Sequence, residues 1–534
     1  MMRLRFPSRR HLVIGLLAVA FALGTFFWIF TFPYHPSRVL RVVPPEATVV
    51  SWHLKPTGRV DAVLRSAPAA VLLAAGEVSA ADAAAAVADP GVQALLERLA
   101  GTGVTLAFAP ASGPERAPAL FLGSWVGGLT THLARGGWLD KSFEGFTVYH
   151  VGRDRVWSGS FPELPAGMQR VSFAVYEGVL AGCASSDPFG AFPLLQALKR
   201  HGPLTPLAEP LVAFTDGIGH FRASQNDDAG NATLWAGAFD VQADGRLTGR
   251  VVLEETQGSP PWFAGLADEQ SPAGVRALCP LPADLPAAIV ALPLVRGLAA
   301  GQVLLAPGSR EQVLLDALAG MATREGGVCA WVSGGDYSGR LMGLKVPSVG
   351  FALQVNAETR VDTVATRLAD SLNSLYGTGL IAVPDRGNAG IRILQPVKDK
   401  GGLAFLGTDE RPALAIIDGW LVVMSNVAVL RRVLSAGKPA FEGGLLAAGL
   451  EPVWLYGHVR LPVLGELTGN ALAGYALMRL LQTGKAERLD TPVVKRLLAG
   501  MAGLGGGTLQ AGRDPQGRFA IFLDIDGQQE AGNE

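Results

Sequence analysis

The chain's 534 residues exceed what one hydrophobic core organises, and 49% apolar against 17% charged residues excludes a disordered chain. A formal net charge of -1 and a sequence pI near 6.7 leave no polybasic face for nucleic acid. At least two folded domains are expected.

The first predicted element is the apolar run 12–32, which opens at Leu12, closes at Phe32 and holds no charged residue. It is long enough to cross a bilayer as one helix. Arg3, Arg5, Arg9 and Arg10 precede it, and no small-residue cleavage site follows, so it reads as an uncleaved signal anchor. The tail 1–11 then stays cytoplasmic, and the bulk of the chain lies outside the cytoplasm. Phe26, Phe27, Trp28, Phe32 and Tyr34 suit the far interface.

Beyond the anchor, segment 43–256 and segment 281–527 read as two copies of one α+β domain of antiparallel sheet with packed helices. Stretch 257–280, rich in Pro and Gly, reads as the linker. Each copy begins with a proline-acid lead into an apolar strand, at 47–52 and 287–292. A helical region follows, signalled by Asp89-Pro90 in the first copy and by Ser309 in the second. Paired strands come next, 104–109 with 119–126 and 328–333 with 349–355. Helices at 129–135 and near 361–375 succeed them, the latter capped by Asn356 or Thr359, with Val361, Val364, Ala365, Leu368, Leu372 and Leu375 on one face.

Strands 146–151 and 155–160 are matched to 391–397 and 403–407. The strongest correspondence is a tight hairpin in each copy, turning at Glu177-Gly178 and at Asp418-Gly419. Val50 to Gly178 and Val290 to Gly419 span nearly equal lengths. Helices capped by Asp187 and by Asn426 follow, and each copy closes on a second hairpin, at 233–254 and 508–524. The second copy carries a helical insertion near 464–500.

This order, with the Leu281-Pro282-Ala283-Asp284 lead and the Asp418-Gly419 hairpin, resembles a family of bacterial extracytoplasmic proteins known only as a domain of unknown function. The first copy departs from the pattern, with Pro44-Pro45-Glu46 for the lead and Glu177 for the hairpin aspartate. The resemblance implies a single-pass protein of the bacterial cytoplasmic membrane whose body is periplasmic. It supplies no catalytic residues.

The chemistry that motifs carry is sparse. His132, His150 and His220 have no neighbouring ligand at a metal-binding interval, so no metal or other cofactor is expected. The run 123–127 only approaches the Gly-x-Ser-x-Gly elbow, and Ser435-Ala436-Gly437-Lys438 lacks the companion elements of a serine acyltransferase. The glycines at 503–507 precede a strand, the wrong order for a phosphate loop, and Asp524 with Asp526 lack the remaining ligands of a calcium loop. Asn231-Ala232-Thr233 matches a glycosylation acceptor, which has no weight in a bacterium. Cys183, Cys279 and Cys329 give no disulfide framework and read as buried thiols.

Three functions follow in order of preference. The first is a non-enzymatic binding or scaffold module of the cell envelope, whose partner is an envelope protein or lipid. The second is a membrane-tethered carrier of a lipid or other apolar ligand, which a mean hydropathy of +0.29 favours. The third is an enzyme whose site is assembled without a motif.

Overall fold

The computed structural model describes residues 17–25, 32–75, 79–111, 117–214, 219–226 and 232–256 in the first part of the chain. In the rest it describes 275, 281–282, 285–293, 308–323, 326–341, 344–397, 407–435, 450, 453–469, 498, 500–501 and 504–526, apart from single positions within 117–214 and short breaks within 308–323. The architecture is α+β, helices packed on antiparallel sheet. Residues 17–25 are helical, with 17–24 exposed, while the flanks 12–16 and 26–31 of the expected anchor lie outside the described residues. Among the described residues, no helix is long and apolar enough to cross a membrane.

The chain divides into two compact units, the first made of Met1–Val60 with Ala85–Phe239, the second of Asp61–Ala84 with Asp240–Glu534. Strands of the first unit are β1 (Val49–Leu54), β2 (Gly103–Ala109), β3 (Ala119–Trp125), β4 (Thr147–Val151), β5 (Asp154–Ser160), β6 (Arg170–Tyr176), β7 (Val179–Ser185), β8 (Gly219–Asn226) and β9 (Ala232–Val241). They pair in the order β4-β5-β6-β7-β3-β2-β1-β8-β9, antiparallel throughout.

The second unit holds β10 (Leu247–Thr256), β11 (Pro286–Pro293), β12 (Gly327–Ser333), a small hairpin β13 (Gly339–Leu341) and β14 (Leu344–Val346), β15 (Ser348–Gln354), β16 (Leu380–Pro384), β17 (Arg392–Pro396), β18 (Ala413–Ile417), β19 (Trp420–Met424), β20 (Val453–Arg460), β21 (Gly506–Arg513) and β22 (Phe519–Ile525). Its sheet runs β16-β17-β18-β19-β15-β12-β11-β20-β21-β22-β10, again antiparallel. From β4 to β9 and from β16 to β21 the two orders match strand for strand.

Successive strand residues point to opposite faces, so a strand of unbroken apolar character must be covered twice. In the first unit, Val156 and Ala174 pack under Leu195 of the helix Ala191–Arg200, whereas Trp157 and Val175 pack with Ala134 of the helix Gly127–Arg135. In the second, Val422 and Ala415 meet Leu430 of the helix Val427–Ser435, whereas Leu421 and Leu414 meet Val364, Ala365 and Leu368 of the helix Val361–Tyr376. Each buried Leu, Ile or Val contributes roughly 1.5–3 kcal/mol. Val39, Leu40, Val42 and Val43, within and just after the short helix Pro36–Leu40, are buried with Val50 and Trp52 of β1.

Buried aspartates fasten the helices. Asp154 receives Arg135 at 3.0 Å and Lys199 at 2.6 Å, one cation from the helix on each face. Asp385 takes a bidentate pair from Arg431, at 2.9 and 2.6 Å, and this guanidinium holds its carboxyl below the usual range.

Both tight hairpins form as expected, with Glu177 at φ 44 and Gly178 at φ 84, and Asp418 at φ 47 and Gly419 at φ 79. Such two-residue turns need left-handed backbone at both positions, which is why glycine follows the acid. Asp89 caps Pro90–Ala100 through the N–H groups of Gly91 and Val92, and Asn426 caps Val427–Ser435. Two expected caps are corrected. Asp187 closes the preceding turn by accepting from Phe189 N–H, leaving Gly190 at the cap, and Val361–Tyr376 starts from Arg360, not Asn356 or Thr359.

β17 pairs on one side with β16, ahead of it in sequence, and on the other with β18, while 403–406 of the strand expected after it lies outside the described residues. Of the insertion near 464–500, residues 461–469 are helical and 470–497 lie outside the described residues. So does the linker up to residue 274, whereas Val275, Leu281 and Leu285 are buried in the second unit's core.

Candidate functional site

Along β11, β20, β21 and β22 the face opposite the core carries a helix at one edge, where Ala67, Ala70 and Val71 pack with Leu461 and Ile525. Ile289, Ala291 and Tyr456 point into the core, and the alternate residues Ala288, Val290, Leu455, Gly457 and Val459 take the other face. The register sets two rows across four strands. One runs Ala288, Val459, Gly507, Ile525; the other runs Val290, Gly457, Leu509, Leu523. Together with Leu455 and Leu461 they line an open groove of about 340 Å³ whose exposed lining is almost wholly apolar. That volume sits at the lower end of ligand pockets, roughly 300–1,000 Å³.

Gly457 and Gly507 make the groove. Neither adopts positive φ, so no turn requires a glycine there. A Cβ added at Gly457 would approach nothing closer than 3.7 Å, and at Gly507 nothing closer than 3.5 Å, which is ordinary contact. Packing therefore does not exclude a side chain at either place. Glycine inside a strand weakens it and marks a place where a ligand or another backbone comes close. Thr508 and His458 also border the groove, but strand alternation turns their side chains to the opposite face. Burial, with Arg460 second, lowers the His458 pKa, so the ring is neutral near pH 7.

The residues weighed for chemistry in the sequence do not converge. No group of three or more His, Cys, Asp or Glu able to hold a metal exists among the described residues. His132 meets the Phe32 ring tilted at 5.7 Å, His220 lies on Phe214 at 3.8 Å, and His150 pairs across β4 and β5 with Arg155. The Ser124 hydroxyl donates to Leu99 O, and Ser435 donates to Arg432 O at 3.0 Å. Asp524 is held by Arg246, and Asp526 accepts from Gly506 N–H, so both acids have structural partners. Cys183 is a buried thiol that burial pushes up to about 11, Cys329 is buried, and Cys279 and Asn231 lie outside the described residues. Sequence reasoning did not single out Ser51 and His53, hydrogen-bonded at 3.1 Å on β1, nor the groove.

A scan against protein-family models, a search of curated proteins and a search of solved structures each return no match.

Proposed function

We propose that this chain is a membrane-tethered extracytoplasmic binding module, built from two divergent copies of one α+β unit, whose second copy takes an apolar chain such as a lipid tail. The observation that carries the reading is the groove of about 340 Å³ cut by Gly457 and Gly507, with no acid, base or nucleophile side chain among the described residues facing it. An uncharged, apolar lining selects an uncharged, apolar occupant, because an ionised group desolvated there would find no partner. The matched strand orders support common descent of the two units. The apolar run 12–32 with its arginine flank supports the tether, and the resemblance to the bacterial extracytoplasmic family supports a periplasmic body.

Native mass spectrometry of the full-length protein, extracted gently from its own membranes, tests this. A stoichiometric adduct of lipid mass is expected, absent from the Gly457→Val, Gly507→Val double variant. Bare wild-type protein, or an adduct equally present in both, overturns the reading.

A further inference from the structure

The stretch between the apolar run and the core of the first unit has no slack. Phe32 closes that run, and its ring stands 5.7 Å from the His132 ring on the helix Gly127–Arg135. Two residues on, Tyr34 meets Trp125 edge to face at 5.6 Å. By Val39 and Leu40 the chain is fully buried. Seven residues, five of them in or abutting a helix capped by His35, cannot serve as a flexible tether. Whatever holds Phe32 therefore also holds the helix Gly127–Arg135.

That helix is built to meet something apolar. Leu129, His132 and Leu133 recur at spacings of three and four and so share one face, and His132 on that face is the residue Phe32 touches. Leu129 is 45% exposed, and Trp138, in the turn just past the helix, is 75% exposed. Lys141 beside it is exposed, whereas Arg135 is committed to Asp154. Tryptophan favours the boundary between acyl chains and headgroups, with a nearby lysine able to reach phosphate.

We propose that Leu129, Leu133 and Trp138 rest in the interfacial layer of the bilayer that anchors the chain, making the first unit a lipid-surface contact. The occupant is fixed by where the apolar run ends: Phe32 brings the membrane to this helix face. The inference rests on the tether described above, and the experiment separates the two.

Nitroxide labels are placed singly at Phe21→Cys, Leu129→Cys and Trp138→Cys in full-length Cys279→Ala protein, reconstituted in nanodiscs of phosphatidylcholine with phosphatidylglycerol. Cys183 and Cys329 are too buried to label readily. Relaxation by oxygen, which partitions into lipid, is compared with relaxation by a water-soluble nickel chelate. Labels at 21, 129 and 138 should all gain oxygen access and lose nickel access, position 21 most deeply. Lipid contact at 21 with full nickel access at 129 and 138 overturns the surface contact and leaves the tether standing. Water at all three positions overturns both. Positions 129 and 138 are exposed, so the substitutions do not threaten folding.

Discussion

The two sheets share a strand order and differ in what their open faces carry. In the second unit, β20 and β21 present Gly457 and Gly507 beside Val459 and Leu509. In the first, β8 and β9 present Phe221 opposite Gly237, Ala223 opposite Trp235 and Gly219 opposite Phe239, with His53 edge-on to Phe239 at 5.5 Å. One face is filled with rings where the other is carved by glycine. Backbone pairing fixes topology, while the side chains on the face opposite the core are free to change. Of these two faces, the carved one is the candidate for holding a ligand.

Four measurements probe the two faces and the cores behind them. The largest effect comes from the shared core: Trp52→Ala in the first unit and Trp331→Ala in the second, both almost fully buried, should each cost about 3–5 kcal/mol in urea unfolding. A much smaller cost on one side would show that the cores are not equivalent. Next comes the clamp. Asp385→Asn should cost about 2 kcal/mol, below the range for a fully buried pair because Arg431 is 36% exposed. Its pH signature has a definite sign: the lowered pKa of Asp385 gives stability that is present above about pH 3.9 and lost as pH falls through the folded value. The acid limb of the wild-type stability curve should be shallower in the variant.

Third, Gly457→Val with Gly507→Val should leave stability within about 0.5 kcal/mol or raise it, since valine suits a strand. Loss of folding, seen by circular dichroism, would mean that packing needs those glycines. The smallest effect belongs to the ring-filled face. Burial, with His220 second, lowers the pKa of His53, so the folded state favours the neutral ring. Below about pH 6.5 the unfolded chain takes up a proton that the folded chain resists, and stability falls. His53→Phe should flatten the profile there, read by thermal unfolding from pH 5 to 8.

Local chemistry made much of the fold legible. Glu177-Gly178 and Asp418-Gly419 announced their hairpins because the left-handed backbone there is a property of two adjacent residues. Asp89 and Asn426 announced helix starts because each side chain accepts from backbone N–H groups of the first turn. Register was harder. Equal spans pair Val50 with Val290, yet Val50 is fully buried and Val290 is 43% exposed, because a slip of one residue changes the face. Strand β16 is short and ends in Pro384, and β20 is interrupted by Gly457, so neither displays the unbroken apolar pattern that betrays a strand. The groove was illegible for a different reason. Ala288, Val459 and Gly507 become neighbours only through cross-strand pairing over long separations, and none carries a reactive group.

The membership of the second unit has a consequence for how the chain is made. The helix Ala67–Ala75 belongs to that unit, and its Ala67 and Ala70 bury against Leu504, more than four hundred residues later. At ribosomal speeds of about 5–20 residues per second, that partner is synthesised roughly 20–90 s after the helix. Throughout that interval an Ala-, Val- and Leu-rich segment stands without the cover that Leu504 gives it in the folded chain.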